Sequence, residues 1–171
     1  MRLTKGTDYG ARGVIYLAKL PPSAVVLVGE IAQAEGLPES YLAKIFQDLS
    51  KQGIIHSHRG AKGGFSLARP PAEITLREVV EAIEGPIALC RCLSPWEGCE
   101  RQDDCALFPV MAQVQEELLQ MLSRTTVQDL ATRDSAGLCA LDKLQRLSCE
   151  GATDCPPSEE PQTDEKAHGL S

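Results

Sequence analysis

Two short helical patterns that meet at a glycine constrain this chain more than anything else in it. In residues 40–49, Leu42, Ile45, Phe46 and Leu49 recur at i, i+3, i+4 and i+7, which puts them on one face of a helix. Just before it, residues 28–34 read as a shorter helix with Ile31 and Ala32 facing inward, and Glu35-Gly36-Leu37-Pro38 forms the turn between them. Two helices joined across a tight glycine turn make a helix-turn-helix pattern. Gly53 closes the second helix. Ile54-Ile55-His56-Ser57-His58 then alternates as a strand, Arg59-Gly60-Ala61-Lys62-Gly63-Gly64 turns, and Phe65-Ser66-Leu67 returns. A hairpin directly after a helix-turn-helix is a wing. The predicted fold class is mostly α with a small β-hairpin wing, a winged helix-turn-helix followed by a long helix.

The other elements are placed around this unit. A first helix is predicted over 8–20, with Thr7 as its N-cap and Val14, Ile15, Leu17 and Ala18 among its apolar positions. Gly10 and Gly13 count against that helix, and Pro21-Pro22 end it. Thr75-Leu76-Arg77-Glu78 is a capping box opening a helix through Ile83, with Leu76, Val79, Val80 and Ile83 on one face and Gly85-Pro86 as the stop. A long helix is predicted over 108–123. Its Met111, Val114, Leu118 and Met121 recur at steps of three, four and three, the spacing of a coiled-coil seam. Such a short seam either packs within one subunit or pairs two. Pairing is the expectation, because helix-turn-helix proteins usually read DNA as dimers. Residues 126–131 add a further helical turn. The expected organisation is a DNA-binding domain over 1–85, a cysteine loop over 86–107, dimerisation and short following helices over 108–132, and a tail over 133–171. Residues 150–171 are rich in acidic, Pro, Ser and Gly residues and are predicted disordered.

The net charge of −7 argues against nucleic acid until its distribution is read. Residues 1–70 hold nine Lys/Arg against five Asp/Glu; residues 71–171 hold eight against nineteen. A basic half is what phosphate contact needs. On the second helix of the pair, Glu39, Ser40, Tyr41, Ala43, Lys44 and Gln47 are the predicted outward positions, those near its N-terminus meeting base edges or phosphate. Arg59 and Lys62 at the hairpin tip are placed to reach phosphate or the minor groove. The competing interpretation is that any small helical domain shows this spacing; the Arg-Gly-x-Lys-Gly-Gly hairpin tips the balance toward a reader of double-stranded DNA. The apolar runs are too short to span a membrane, and the N-terminus has no secretory apolar block, so a cytoplasmic chain is expected. No Ser-His-Asp constellation, phosphate loop or paired catalytic carboxylates are present, and His56 and His58 on the hairpin are expected to face solvent or DNA.

Seven cysteines in such a chain argue for metal or redox chemistry. Cys92, Cys99 and Cys105 are concentrated in a stretch rich in Gly, Pro and charge, with Cys90 just before them. Thiolates are soft ligands suited to iron–sulfur clusters and zinc. Zinc sites usually pair two short hooks, which gaps of six and five residues between sulfurs do not supply, whereas a loop around one face of a larger cluster fits. Zinc, an electron-transfer cluster and unligated thiols stay open as alternatives. Cys139, Cys149 and Cys155 lie in the tail and are read as free or redox-active thiols.

Several segments in order resemble the Rrf2 family of winged-helix regulators, including its iron–sulfur members of the IscR and NsrR type: MRLTKGTDYG, IAQAEGLPESYLAKIFQDLSKQGII, RGAKGGFSLARP, ITLREVVEAIEG and the three cysteines with the helix after them. The likeness covers residues 1 to about 131. It implies a homodimer on a palindromic operator, with a long helix crossing to the partner, and a cluster held by Cys92, Cys99 and Cys105. Members of the IscR type add a histidine three residues past the last cysteine; Phe108 stands there and cannot ligate. Other members use an acidic residue of the partner's first helix, a position matched by Asp8. The resemblance thus implies a [4Fe-4S] cluster, with [2Fe-2S] as runner-up. The first cysteine gap is one residue longer than in IscR-type members, and Cys90 is an extra candidate ligand.

Overall fold

The computed structural model describes residues 3–60, 63–94, 96–97, 99–100 and 104–133. Lys62, the tail from residue 134 and the thiols Cys139, Cys149 and Cys155 lie outside them. The order of elements is α1 (Lys5–Ala18), α2 (Val28–Glu35), α3 (Glu39–Lys51), β1 (Ile55–His58), β2 (Gly64–Leu67), a 3-10 turn (Pro71–Glu73), α4 (Leu76–Glu84), a second 3-10 turn (Arg91–Leu93), α5 (Leu107–Arg124) and α6 (Val127–Thr132). The mostly helical fold with an antiparallel hairpin is the one expected. No helix among the described residues is long and apolar enough to cross a membrane.

The helix-turn-helix follows its sequence pattern. Gly36 takes the left-handed conformation that ends α2, with φ 64°. Leu42, Ile45, Phe46 and Leu49 of α3 are buried with Ile31 and Ala32 of α2. Behind them, α1 presents Gly6, Gly10, Gly13, Val14 and Leu17 inward. A Cβ on Gly10 would stand 2.4 Å from Ile83 Cδ1 and 2.9 Å from Ile45 Cγ2; one on Gly13 would stand 2.7 Å from the Phe46 ring. The glycines that count against a helix by propensity are therefore the ones that let α3 and α4 pack tightly on α1.

The start of α1 corrects the expected cap. Thr4, not Thr7, is the N-cap, and its hydroxyl accepts from the Gly6 amide at 3.1 Å. Thr7 lies inside the helix, buried, and its hydroxyl donates to the Glu84 carboxylate. Two threonines three residues apart both suit the capping role and both reach Glu84 of α4; what separates them is that Thr4 accepts from the Gly6 amide at the head of the helix.

The wing pairs Ile55 with Leu67, His56 with Ser66, Ser57 with Phe65 and His58 with Gly64. It is fixed to the helices in two ways. The Phe65 ring meets Phe46 edge-on at 5.0 Å, and the amides of Val26 and Phe65 donate to each other's carbonyls at 3.0 and 2.8 Å. The predicted capping box at Thr75 and Glu78 is present. A second one at Thr126 and Asp129 opens α6. The Val127 amide donates to Ile74 O and the Leu76 amide to Thr125 O, both at 2.8 Å, so α6 returns to the start of α4. α5, about 27 Å long by its residue count, packs on α4 and buries no residue fully.

Candidate nucleic-acid interface and cysteine loop

Because the apolar face of α3 is spent on the core, its polar face is left to solvent. Glu39, Ser40, Tyr41, Lys44 and Gln47 are all exposed and Ala43 is half-buried. They divide into two sets. Tyr41 leans toward α1, where its ring meets Tyr9 edge-on at 5.7 Å and its hydroxyl lies 3.1 Å from where a Gly6 Cβ would stand. Glu39 leans toward α2, with its carboxyl 3.3 Å from where a Gly29 Cβ would stand. Ser40, Lys44 and Gln47, at steps of four and three, line the outward stripe between them. Lys51 continues that stripe, and its ammonium is held by Asp48 at 2.7 Å.

Arg59 stands exposed at the tip of the hairpin, next to Gly60, whose φ of 112° suits glycine alone. His56 and His58 are exposed on the same strand, as expected, and His58 Nε2 lies 2.8 Å from Ser66 Oγ. Among the cations of the basic half, Arg12 pairs with Glu35 at 3.1 Å and Arg69 with Glu78 at 2.7 Å. Lys5, Lys19, Lys44 and Arg59 have no ion-pair partner among the described residues. A cation without a carboxylate partner is available to phosphate.

Two supports were not read from sequence. Arg12 also donates to the Glu35 carbonyl, tying α1 to the end of α2. Glu84 accepts from the Thr4 amide at 3.1 Å and from the hydroxyls of Thr4 and Thr7. Burial pushes the Glu84 carboxyl up, but those hydrogen bonds outweigh it and the net shift is downward. The available signal was its position: a carboxylate at a helix C-terminus opposes the helix dipole and needs a partner.

The cysteine loop leaves α4 at Gly85 and rejoins regular structure at α5. The 3-10 turn at Arg91–Leu93 is closed by the Leu93 amide donating to Cys90 O at 3.1 Å. It brings Cys90 Sγ and Cys92 Sγ to 3.1 Å. The hydrogen bond with Cys90, then desolvation, raises the Cys92 thiol, and the charge of Cys99 adds to the effect. Arg91 pairs with Glu97 across the loop at 2.8 Å, and Gln115 of α5 accepts from the Leu89 amide at 3.0 Å. Cys99 is exposed, and Cys105 is half-buried, one turn ahead of Phe108, whose amide donates to Cys105 O at 3.1 Å. Among the described residues no three Cys, His, Asp or Glu side chains converge tightly enough to hold a metal, and Asp8 is exposed on α1. The structure thus brings Cys90 and Cys92 together and does not gather Cys92, Cys99, Cys105 and Asp8 within one chain. The donor set still suits a thiophilic centre, being soft sulfurs on one loop ending at a helix N-terminus, whose dipole favours an anionic group.

Comparison with known proteins gives one family and a consistent set of structures. Residues 3–133 match the family described as "Rrf2: Iron-dependent Transcriptional regulator". The CymR (YrzC) global cysteine regulator of B. subtilis is 30% identical, with a TM-score of 0.61 over 78% of this chain and 99% of that one. The oxidised form of Staphylococcus aureus CymR is 26% identical, with a TM-score of 0.62 over 79% and 99% of the two chains. T. potens IscR shares the fold at 24% identity, with a TM-score of 0.60 over 85% and 91%.

Proposed function

This chain belongs to the Rrf2 family of transcription regulators, and from that premise we propose that it grips a palindromic operator as a homodimer whose DNA affinity is set by an iron–sulfur cluster. Ser40, Lys44 and Gln47 of α3 enter the major groove, flanked by Glu39 and Tyr41, while Arg59 and Lys62 of the wing contact phosphate or the minor groove. The organisation is a DNA-binding domain over 1–85, the cysteine loop over 86–107, dimerisation and following helices over 108–132, and the tail over 133–171. Cys92, Cys99 and Cys105 hold the cluster, [4Fe-4S] in preference to [2Fe-2S], with Asp8 of the partner subunit as fourth ligand. When bound, the cluster supplies a centre that reacts to redox state, nitric oxide or cluster supply. The loop is tied to α5 through Leu89 and Gln115, so a change in the loop is felt midway along α5. The observation that supports this reading is the thiol loop set between the winged helix-turn-helix and α5, whose Leu107, Val110, Val114 and Met121 are exposed. Exchange of the oxygen ligand makes the site labile, as a sensor requires.

A second reading, a family regulator that works without a cluster, is favoured by the 30% identity to a protein described as a cysteine regulator and by the thiols not converging within one chain. Protein purified without air decides between them. Iron, acid-labile sulfide and visible charge-transfer absorption are expected. Their absence after attempted reconstitution overturns the cluster, and zinc in colourless protein favours a structural metal. Salt-dependent binding to a palindromic duplex separates a regulator from an electron carrier.

A further inference from the structure

Cys90 has no part in the proposed ligand set, yet its sulfur is the nearest neighbour of a sulfur that does. The 3-10 turn at Arg91–Leu93 sets the two side chains on one side of the loop, with Sγ to Sγ at 3.1 Å. A disulfide needs about 2.05 Å, so rotation of the two side chains by about 1 Å of sulfur travel closes the gap. Both thiols are half-buried, which leaves them within reach of small oxidants and reductants. The more exposed Cys99 makes no sulfur contact with either thiol among the described residues. We propose that Cys90 and Cys92 are a redox pair that closes to a disulfide when the loop carries no cluster.

The oxidant is hydrogen peroxide. One sulfur attacks the terminal peroxide oxygen, the O–O bond breaks, and a sulfenic acid forms with loss of water. The second sulfur attacks the first, the S–O bond breaks, and a second water leaves with the remaining thiol proton. Two thiols and hydrogen peroxide thus give a disulfide and two waters, the peroxide accepting two electrons. A ring that spans only one intervening residue is strained, and strained, accessible disulfides are the readily reduced ones. The pair is therefore reversible. Its consequence for regulation, which rests on the cluster reading, is that oxidation removes the Cys92 sulfur from the ligand set until a thiol reductant restores it.

Trypsin provides the test, because Arg91 lies between the two cysteines. The full-length, metal-free protein is treated with hydrogen peroxide, its remaining thiols are alkylated, and it is digested without reductant. The expected product is peptide 78–91 linked to peptide 92–101, a species that disappears on reduction. The link is expected to be lost in Cys92→Ser and kept in Cys99→Ser. Alkylated Cys90 in the oxidised wild-type protein, Cys90 joined to any other cysteine, or a link that persists in Cys92→Ser overturns the proposal. Iron uptake is measured separately on untreated protein. A link without iron upholds the redox pair and sinks the cluster, while iron without the link does the reverse.

Discussion

Glu84 shows how one side chain sets the junction between the first helix and the rest of the fold. Its carboxylate sits at the wrong end of α4 for the helix dipole, and the Thr4 and Thr7 groups at the start of α1 satisfy it. Its folded pKa lies below the ordinary value, so its contribution to stability is complete above the unfolded pKa and is lost as pH falls through the folded one. Glu84→Gln is expected to cost about 1 kcal/mol near neutral pH, a charge-assisted bond discounted for exposure, and nothing once both states are protonated. Urea midpoints of the two proteins at both ends of that range check this; a constant difference across the range would mean that the charge is not what matters. Gly13 makes a steric counterpart. Gly13→Ala drives a methyl into the Phe46 ring and is expected to destabilise by about 1–3 kcal/mol, read as a lower urea midpoint at unchanged slope. Neither role was legible from the sequence, because a glycine's packing and a carboxylate's distant partner are properties of neighbours far along the chain.

Elements were more legible than residues wherever the pattern was local. The four apolar positions of α3 and the Thr75 capping box define their helices without help from elsewhere, and both stand where the periodicity puts them. The outward face of α3 was legible too, but not that Tyr41 turns to α1 and Glu39 to α2, since which helix lies on each flank is a tertiary fact. The cysteine loop has no periodicity, so its spacing indicated chemistry but not geometry. In the wing, Arg59→Ala is expected to lower the slope of log affinity against log salt by about 0.9, one phosphate contact, and to weaken binding at all sequences alike. An unchanged slope would take the tip off the DNA. In α5, Leu107, Val110, Val114 and Met121 fall on one stripe at helical spacing and are 47–68% exposed. That stripe shares Val114 and Met121 with the seam read from the sequence, whose Met111 and Leu118 are half-buried, and it is what a partner helix covers in the proposed dimer. Val114→Glu with Met121→Glu is expected to give a monomer in sedimentation with weakened DNA binding. A dimer that persists would place the interface elsewhere.

At the scale of the whole molecule, the proposed cluster and the DNA surface act on each other only through the helices between them. Cys105 lies two residues before α5, α5 packs on α4, α4 meets α1 through Glu84, and Asp8 follows Thr7 in the first turn of α1. In the proposed arrangement, Asp8 of one subunit completes the site of the other, so cluster loss would release two chains at once. A tenfold difference in DNA affinity between loaded and bare protein requires about 1.4 kcal/mol of coupling. Coupling of this kind is reciprocal, so the operator must alter the cluster's affinity by the same factor. Asp8→Ala leaves the winged domain and the three sulfurs in place. It is expected to shorten the lifetime of the chromophore in air and to narrow the ratio of DNA affinities between the two forms, while the bare protein binds as the wild type does. Absorbance decay, with and without a duplex selected by the protein from random sequence, gives both quantities in one experiment. A decay rate that Asp8→Ala leaves unchanged assigns the fourth position to another residue, with Cys90 the nearest sulfur. If that rate changes while the affinity ratio stays at its wild-type value, Asp8 is a ligand but the cross-subunit contact does not carry the signal.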